Sequence, residues 1–306
     1  MRLVFAGTPD VAVPSLEALH ASKHEIAAVV TRPPAASGRG RSVSPSAVAA
    51  RAIELGIPVI TTNPRLPDFV DLLRELQPEC CPVVAYGALL PREVLAVPPR
   101  GWINLHFSLL PAWRGAAPVQ AAILHGDDVT GATTFLLDEG MDTGPTLGVV
   151  TESVAPLDTA GEVLRRLSVS GAELLVCTLD AWEHGGLDPR TQSGDGVSYA
   201  PKIAIDDARI DWTTTGLRVS RVVRACTPSP GAWTTFRNER MRLLPVAIDR
   251  ELTLPPGVIL VERTRVLVGT STQAIELGEV VPTGKRQMPA SDWARGVRIE
   301  SGEFFV

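Results

Sequence analysis

The chain has 306 residues, 45% hydrophobic and 21% charged, a balance that fits a soluble globular protein of one large or two ordinary domains. No apolar run approaches the ~20 residues of a membrane span, so no membrane partner is expected. Four cysteines, Cys80, Cys81, Cys177 and Cys226, show no CxxC or Cys/His ligand spacing, which argues against a disulfide framework and a zinc site and makes a reducing cytoplasm the expected location. The net charge of −5 hides an asymmetry: residues 1 to 205 carry 15 Lys and Arg against 22 Asp and Glu, while 206 to 306 carry 14 against 12. The C-terminal third is therefore the more basic part, by a margin that ordinary surface variation could also produce.

Residues 2 to 6 (RLVFA) are a short apolar run ended by GTPD, too short for the ~7 to 15 residue core of a secretion signal. They read as a first strand, followed by helical spacing over 11 to 21. The pattern recurs with a strand at 25 to 31, a helix over 45 to 56 closed by Gly56, the short run PVIT and a helix near 67 to 77. Buried strands are predicted at 82 to 87 (PVVAYG) and 102 to 107 (WINLHF), a helix at 116 to 126, a strand at 131 to 138 and an amphipathic helix over 158 to 184. Strands alternating with helices imply right-handed crossovers and an open, mostly parallel α/β sheet with helices on both faces. This domain is assigned residues 1–188. A stretch rich in Gly, Pro, Ser and Asp follows, and 189–207 is assigned as a linker. Beyond it, a helix at 214 to 226 precedes short strands broken by Pro and Gly, the pattern of a small β-barrel or sandwich over 208–306.

Residues 32–45 (RPPAASGRGRSVSP) interrupt the α/β regularity. Arg32, Arg39 and Arg41 with Gly38 and Gly40 make a positively charged insert, either a solvated loop or an arm that orders on a polyanion.

Chemistry concentrates in WINLHFSLLPAWRG. On a strand alternate side chains share a face, so Asn104 and His106 point the same way near the strand's C-terminal end, where open α/β sheets bind ligands. In LLDEGMDTGP, Asp138, Glu139 and Asp142 sit in a glycine-rich turn that suits either loop capping or holding a carboxylate at a ligand. An Asn, a His and an Asp without a Ser or Cys nucleophile or a metal-ligand set suit direct acyl or formyl transfer to an amine. Asn104 and His106 would bind the oxyanion and Asp142 would accept the proton. GTPD is not GxGxxG, and nucleotide binding is disfavoured.

FAGTPD, the GRGR insert, VVAYG with LLP (83 to 91), INLHFSLLPAWRGAAPVQ (103 to 120), DEGMDTGP (138 to 145) and ARIDW (208 to 212) together resemble the 10-formyltetrahydrofolate-dependent formyltransferases. WRGAAPVQ narrows the resemblance to the methionyl-tRNA formyltransferase branch. The resemblance implies a Rossmann-like catalytic domain followed by an OB-like barrel that helps hold tRNA. It implies a catalytic trio of Asn104, His106 and Asp142. It also implies a folate site where Ser108, Leu109, Leu110 and Pro111 meet the 85 to 90 loop with Tyr86 and Gly87. The basic insert, with Arg39 and Arg41, would contact the tRNA acceptor stem. The implied reaction passes the formyl group of 10-formyltetrahydrofolate to the α-amino group of methionyl-initiator tRNA, through a tetrahedral intermediate, with no metal, in a protein expected to be monomeric. Two departures stand out. Phe107 occupies a position where a small residue is expected, and Pro78-Glu79-Cys80-Cys81-Pro82 replaces an apolar strand entry. A transferase acting on a small amine or sugar nucleotide, and a non-enzymatic RNA-binding module, are the alternative readings.

Overall fold

The computed structural model describes residues 1–37 and 42–306. They form two compact units, each assembled from several stretches of chain: Met1–Pro118 with Val129–Ser153 and Leu164–Ala200, and Val119–Asp128 with Val154–Val163 and Pro201–Val306.

The first unit is built on a seven-stranded sheet of β1 (Arg2–Gly7), β2 (Glu25–Val30), β3 (Val59–Ile60), β4 (Cys81–Val84), β5 (Trp102–His106), β6 (Val129–Leu136) and β7 (Thr146–Ser153). Their spatial order is β7-β6-β5-β4-β1-β2-β3. The first five strands run parallel, as the crossover pattern predicts. β6 is antiparallel to β5 and β7 to β6. Strand β7, with Val149 exposed at the sheet edge, was not marked by the apolar pattern. Helices α1 (Val13–His20), α2 (Ala47–Glu54), α3 (Pro67–Leu76) and α4 (Arg92–Leu95) lie between the parallel strands in sequence, α5 (Pro118–His125) leads from β5 to β6, and α6 (Ala160–Glu183) follows β7. Ser46 caps α2, its hydroxyl accepting from Ala49 N at 3.0 Å, which satisfies an amide the helix itself leaves unpaired.

Both faces of the sheet are covered, and β5 shows how its two faces are used. Gly171 of α6 comes so near the sheet that a Cβ there would stand 3.0 Å from Leu105 Cδ2. Trp102 faces the other way, buried with Phe69 and Leu73 of α3 and Val94 of α4, its indole N–H donating to Val94 O at 3.0 Å. Because side chains alternate, Asn104 and His106 share the Trp102 face, away from α6. β4 is shorter than the apolar run implied: it ends at Val84, since Ala85 (φ 46°) and Gly87 (φ 77°) take left-handed conformations that leave the sheet. Cys80 and Cys81 are buried at its entry. Burial pushes the Cys80 thiol up to about 12 and the Cys81 thiol well above its ordinary value, so both act as packing groups. The described ends of the insert, Ala35–Ser37 and Ser42–Ser44, pair as an antiparallel hairpin.

In the second unit, β8 (Trp233–Phe236), β9 (Glu239–Leu243), β10 (Val246–Ile248), β11 (Ile259–Val261), β12 (Val266–Val268), β13 (Ile275–Leu277), β14 (Glu279–Pro282) and β15 (Met288–Pro289) make two four-stranded antiparallel sheets, in the orders β8-β9-β14-β15 and β10-β13-β12-β11. With α7 (Gly216–Ala225) and α8 (Ala290–Val297) they enclose one apolar core, the OB-like arrangement expected of this segment. Thr215 caps α7, its hydroxyl accepting from Arg218 N at 3.2 Å. Four aromatic rings meet in the core: Phe305 stacks on Trp212 at 5.4 Å and on Trp293 at 5.7 Å, and Phe236 meets Trp293 edge-on at 5.2 Å. Phe305→Ala should therefore destabilise this unit by ~3–5 kcal/mol, the usual cost of emptying a buried phenyl site. Urea unfolding followed by tryptophan fluorescence should show the lowered midpoint.

Candidate active site

Asn104 and His106 open into a cavity of about 710 Å³ lined by residues of the first unit: Val83, Ala85 to Arg92, Leu95, Asn104 to Phe107, Gly115, Ala116, Pro118, Leu137 to Asp142 and Arg65. Its wall is mainly aliphatic and main-chain, and Leu89 and Met141 remain exposed.

The route by which Asp142 arrives differs from a parallel arrangement. Because β6 runs antiparallel to β5, with Leu136 opposite Ile103 and His106 opposite Thr133, the chain leaves β6 beside the start of β5. The 137 to 145 loop must then fold back across the Trp102 face to reach His106. Its carboxylates divide the work. Asp138 Oδ1 accepts from Gly140 N at 3.0 Å and Thr143 Oγ1 at 2.7 Å and so shapes the turn. Glu139 pairs with Arg92 at 3.4 Å on the surface. Asp142 points inward, its Oδ2 accepting from Gly115 N at 2.7 Å and standing 3.7 Å from His106 Nδ1.

The histidine's other nitrogen, Nε2, donates to the carbonyl of Trp113 at 2.9 Å. A carbonyl offers no proton, so Nε2 carries hydrogen in either charge state, and Nδ1, facing Asp142, is the nitrogen that gains or loses one. Phe135 meets the imidazole edge-on with centroids 6.4 Å apart. Asn104 is half-buried, and its side-chain amide makes no hydrogen bond to another described residue, which leaves both its donors and its acceptor for a ligand.

The trio thus comes together, and Tyr86 and Gly87 line the same cavity. Ser108, Leu109, Leu110 and Pro111 are not among the lining residues. Ser108 is fully buried and its hydroxyl donates to Ala112 O at 2.6 Å. Thr133 Oγ1 donates to Ser108 O at 2.7 Å and accepts from Leu110 N at 3.2 Å. These bonds hold the segment as a support for the 113 to 115 turn. Phe107, which stands where a small residue is expected, is buried and contributes to the lining. Arg39 and Arg41 lie outside the described residues. Among the described residues one group has metal-ligand character, His24 with Asp180 and Glu183. It lies away from this cavity and is ion-paired with Lys23 and the Met1 amine.

Sequence reasoning overlooked the contribution of the segment assigned as a linker. Tyr199–Ala200 pairs in parallel with Arg114–Gly115. Ser198 O accepts from Arg114 N at 2.9 Å, and Ser198 Oγ accepts from Trp113 N at 2.9 Å. Gln192 donates to the carbonyls of Asp142 and Gly144, both at 2.8 Å, and accepts from Arg114. Gly115 is required where it stands: φ is +121°, and a Cβ would lie 2.7 Å from Ala200 O.

A strand-borne amide and imidazole facing a loop carboxylate, at the edge of an open α/β sheet with a separate antiparallel β unit, matches a known family. The family model described as formyl transferase fits residues 1–179, and that described as formyl transferase, C-terminal domain, fits 202–298. The chain belongs to the formyl transferase family. More particularly, it is 61% identical to the methionyl-tRNA formyltransferase of Thermobifida fusca, over 100% of this chain and 99% of that one. It is 60% identical to the protein of the same name from Saccharopolyspora erythraea, over 99% of each. Two solved structures share the fold at low identity. One is HypX from Aquifex aeolicus in complex with tetrahydrofolic acid (17% identical, TM-score 0.65, covering 100% of this chain and 50% of that one). The other is WlaRD, a sugar 3N-formyl transferase (16%, TM-score 0.67, covering 94% and 99%).

Gly115→Ala should displace the amide that holds Asp142. Misplacement of a reacting group by about 1 Å costs on the order of 10²-fold in rate, so kcat for formyl transfer should fall by that order. A cooperative thermal melt measured alongside should show that the fold survives.

Proposed function

We propose that this chain transfers the formyl group of 10-formyltetrahydrofolate to the α-amino group of methionyl-initiator tRNA, as a cytoplasmic monomer and without a metal. The observation that carries the reading is a single cavity holding the uncommitted Asn104 amide beside the His106–Asp142 pair, in a chain 61% identical over its whole length to a protein named for that reaction. The aliphatic lining around Leu90 and Leu95, with Tyr86 and Gly87 on the same wall, suits a flat heteroaromatic ring. Arg65 and Arg92 provide positive charge for carboxylates of a folate tail.

The chain's own groups then divide three tasks. Asn104 donates to the formyl oxygen as negative charge develops there, and His106 donates through Nδ1 when that nitrogen is protonated. The His106–Asp142 pair takes the proton released when the amine attacks and returns it to the carrier nitrogen as that nitrogen leaves, so the pair ends as it began. No covalent intermediate with the protein is needed, and among the described residues no Ser or Cys lines the cavity with His106. An α-amino group titrates near about 7.7–8.0 in ordinary termini and lower beside an ester, so much of the nucleophile is neutral at physiological pH and orientation carries much of the catalysis.

Incubation with 10-formyltetrahydrofolate and charged initiator tRNA should yield formyl-methionyl-tRNA. Turnover of a small amine with no transfer to the tRNA would overturn the reading in favour of the small-substrate class. Asn104→Ala should lower kcat by about 10²- to 10³-fold, the usual loss for one oxyanion donor, and His106→Ala should fall at least as far, both without a change in thermal midpoint. An RNA-binding module would be indifferent to either change.

For the insert, the proposal is that Arg39 and Arg41 contact the tRNA phosphates. Replacing both by alanine should raise the KM for tRNA and flatten its dependence on salt, because fewer counterions are released on binding, while the KM for the folate stays constant. Titrating KM against salt concentration in wild type and variant tests this.

A further inference from the structure

We infer that Gln192 is a positioning residue for formyl transfer, holding the Asp142 turn in the one conformation that brings the carboxylate to His106. The inference rests on the reading of Asp142 as the carboxylate of the reaction.

Gln192 sits in a stretch whose composition is that of a connector, among exposed neighbours, yet its side chain is partly buried and fully bonded. Its Nε2 donates to Asp142 O and Gly144 O, both at 2.8 Å. Its Oε1 accepts from Arg114 Nη2 at 2.6 Å and Nε at 3.2 Å. Carbonyls only accept and a guanidinium only donates, so the amide fits one way round and cannot flip. Asp142 needs such a clamp. Its φ of 52° is left-handed for a non-glycine residue, a conformation that persists only where the surroundings over-determine it. Gly144, two residues on, packs so tightly that a Cβ would fall 1.8 Å from Leu136 O.

The other half of the pair is held by the same segment. Ser198 fixes the main chain of Trp113 and Arg114, Trp113 O takes His106 Nε2, and Gly115 N holds Asp142 Oδ2. Gln192 is the bridge between the two halves, tying Arg114 on the histidine side to the Asp142 turn. A mere loop anchor would affect stability when changed. A positioning residue affects the rate, and only while Asp142 is present to be positioned.

Gln192→Glu separates these roles. It preserves size and the acceptor for Arg114 but sets an oxygen against two carbonyls, so the donors to Asp142 and Gly144 are lost. In steady-state assays with methionyl-tRNA, kcat should fall 10- to 100-fold, with the KM of each substrate within twofold of wild type and the thermal midpoint retained. In an Asp142→Ala background the same substitution should cost nothing further, because coupled residues give non-additive losses. Gln192→Met, equal in length and unable to donate, should repeat the result and serves if the glutamate variant folds poorly. A wild-type rate in these variants, or an undiminished loss in the Asp142→Ala background, would overturn the inference. Failure of the wild-type protein to formylate methionyl-tRNA, or a wild-type rate for Asp142→Ala alone, would instead sink the reading beneath it.

Discussion

One hydrogen bond constrains all of the chemistry available to this site: His106 Nε2 to the carbonyl of Trp113. Because the acceptor has no proton to give, the imidazole is pinned in one orientation with one usable nitrogen, and that nitrogen faces a carboxylate rather than open solvent. The surrounding structure keeps this bond true. Strand β5 sets the ring on the Trp102 face, the 108 to 112 segment supports the turn that offers the carbonyl, and the Asp142 loop folds back to complete the pair. Asn104, whose amide makes no hydrogen bond to another described residue, sits two residues away on the same strand. The site therefore combines a fixed imidazole–carboxylate pair with an amide that makes no hydrogen bond to another described residue, the division that the proposed direct transfer would use.

Much of this was legible in the sequence, and the physical reason is periodicity. The two-residue alternation of WINLHF places Asn104 and His106 on one face in any β-strand, and five apolar runs separated by helical spacing leave little choice but a parallel sheet. What was not legible is whatever lacks a period. The antiparallel direction of β6 leaves no mark in its composition, so the fold-back of the 137 to 145 loop could not be foreseen. β7, half-exposed along the edge, presents no continuous apolar signal. SLLP reads as a wall because it is apolar and follows the histidine, whereas the structure spends its polar atoms on internal bonds that brace the next turn. The left-handed backbone at Ala85, which cuts β4 short, sits in a residue type that gives no warning of it.

The second unit is legible for a different reason. Its strands are too short to declare themselves singly, but their repeated breaks at Pro and Gly indicate a small β-barrel or sandwich, a pattern that does not single out Trp212, Phe236, Trp293 and Phe305. Those four residues do converge in one core. Aromatic rings supply a large buried area per residue, which matters in a unit whose strands are three to five residues long apart from the two-residue β15.

The close approach of Gly115 to Ala200 ties the site to the order in which the chain is made. All seven strands of the sheet have been synthesised once Ser153 has left the ribosome, yet Gln192, Ser198 and Ala200 follow some forty residues later. The turn carrying Trp113 O and the loop carrying Asp142 therefore take some of their hydrogen-bond partners from a part of the chain that follows the whole sheet in sequence. The sheet and the frame of its candidate site thus come from separate stretches of sequence, and the second includes a stretch that contributes little to the core.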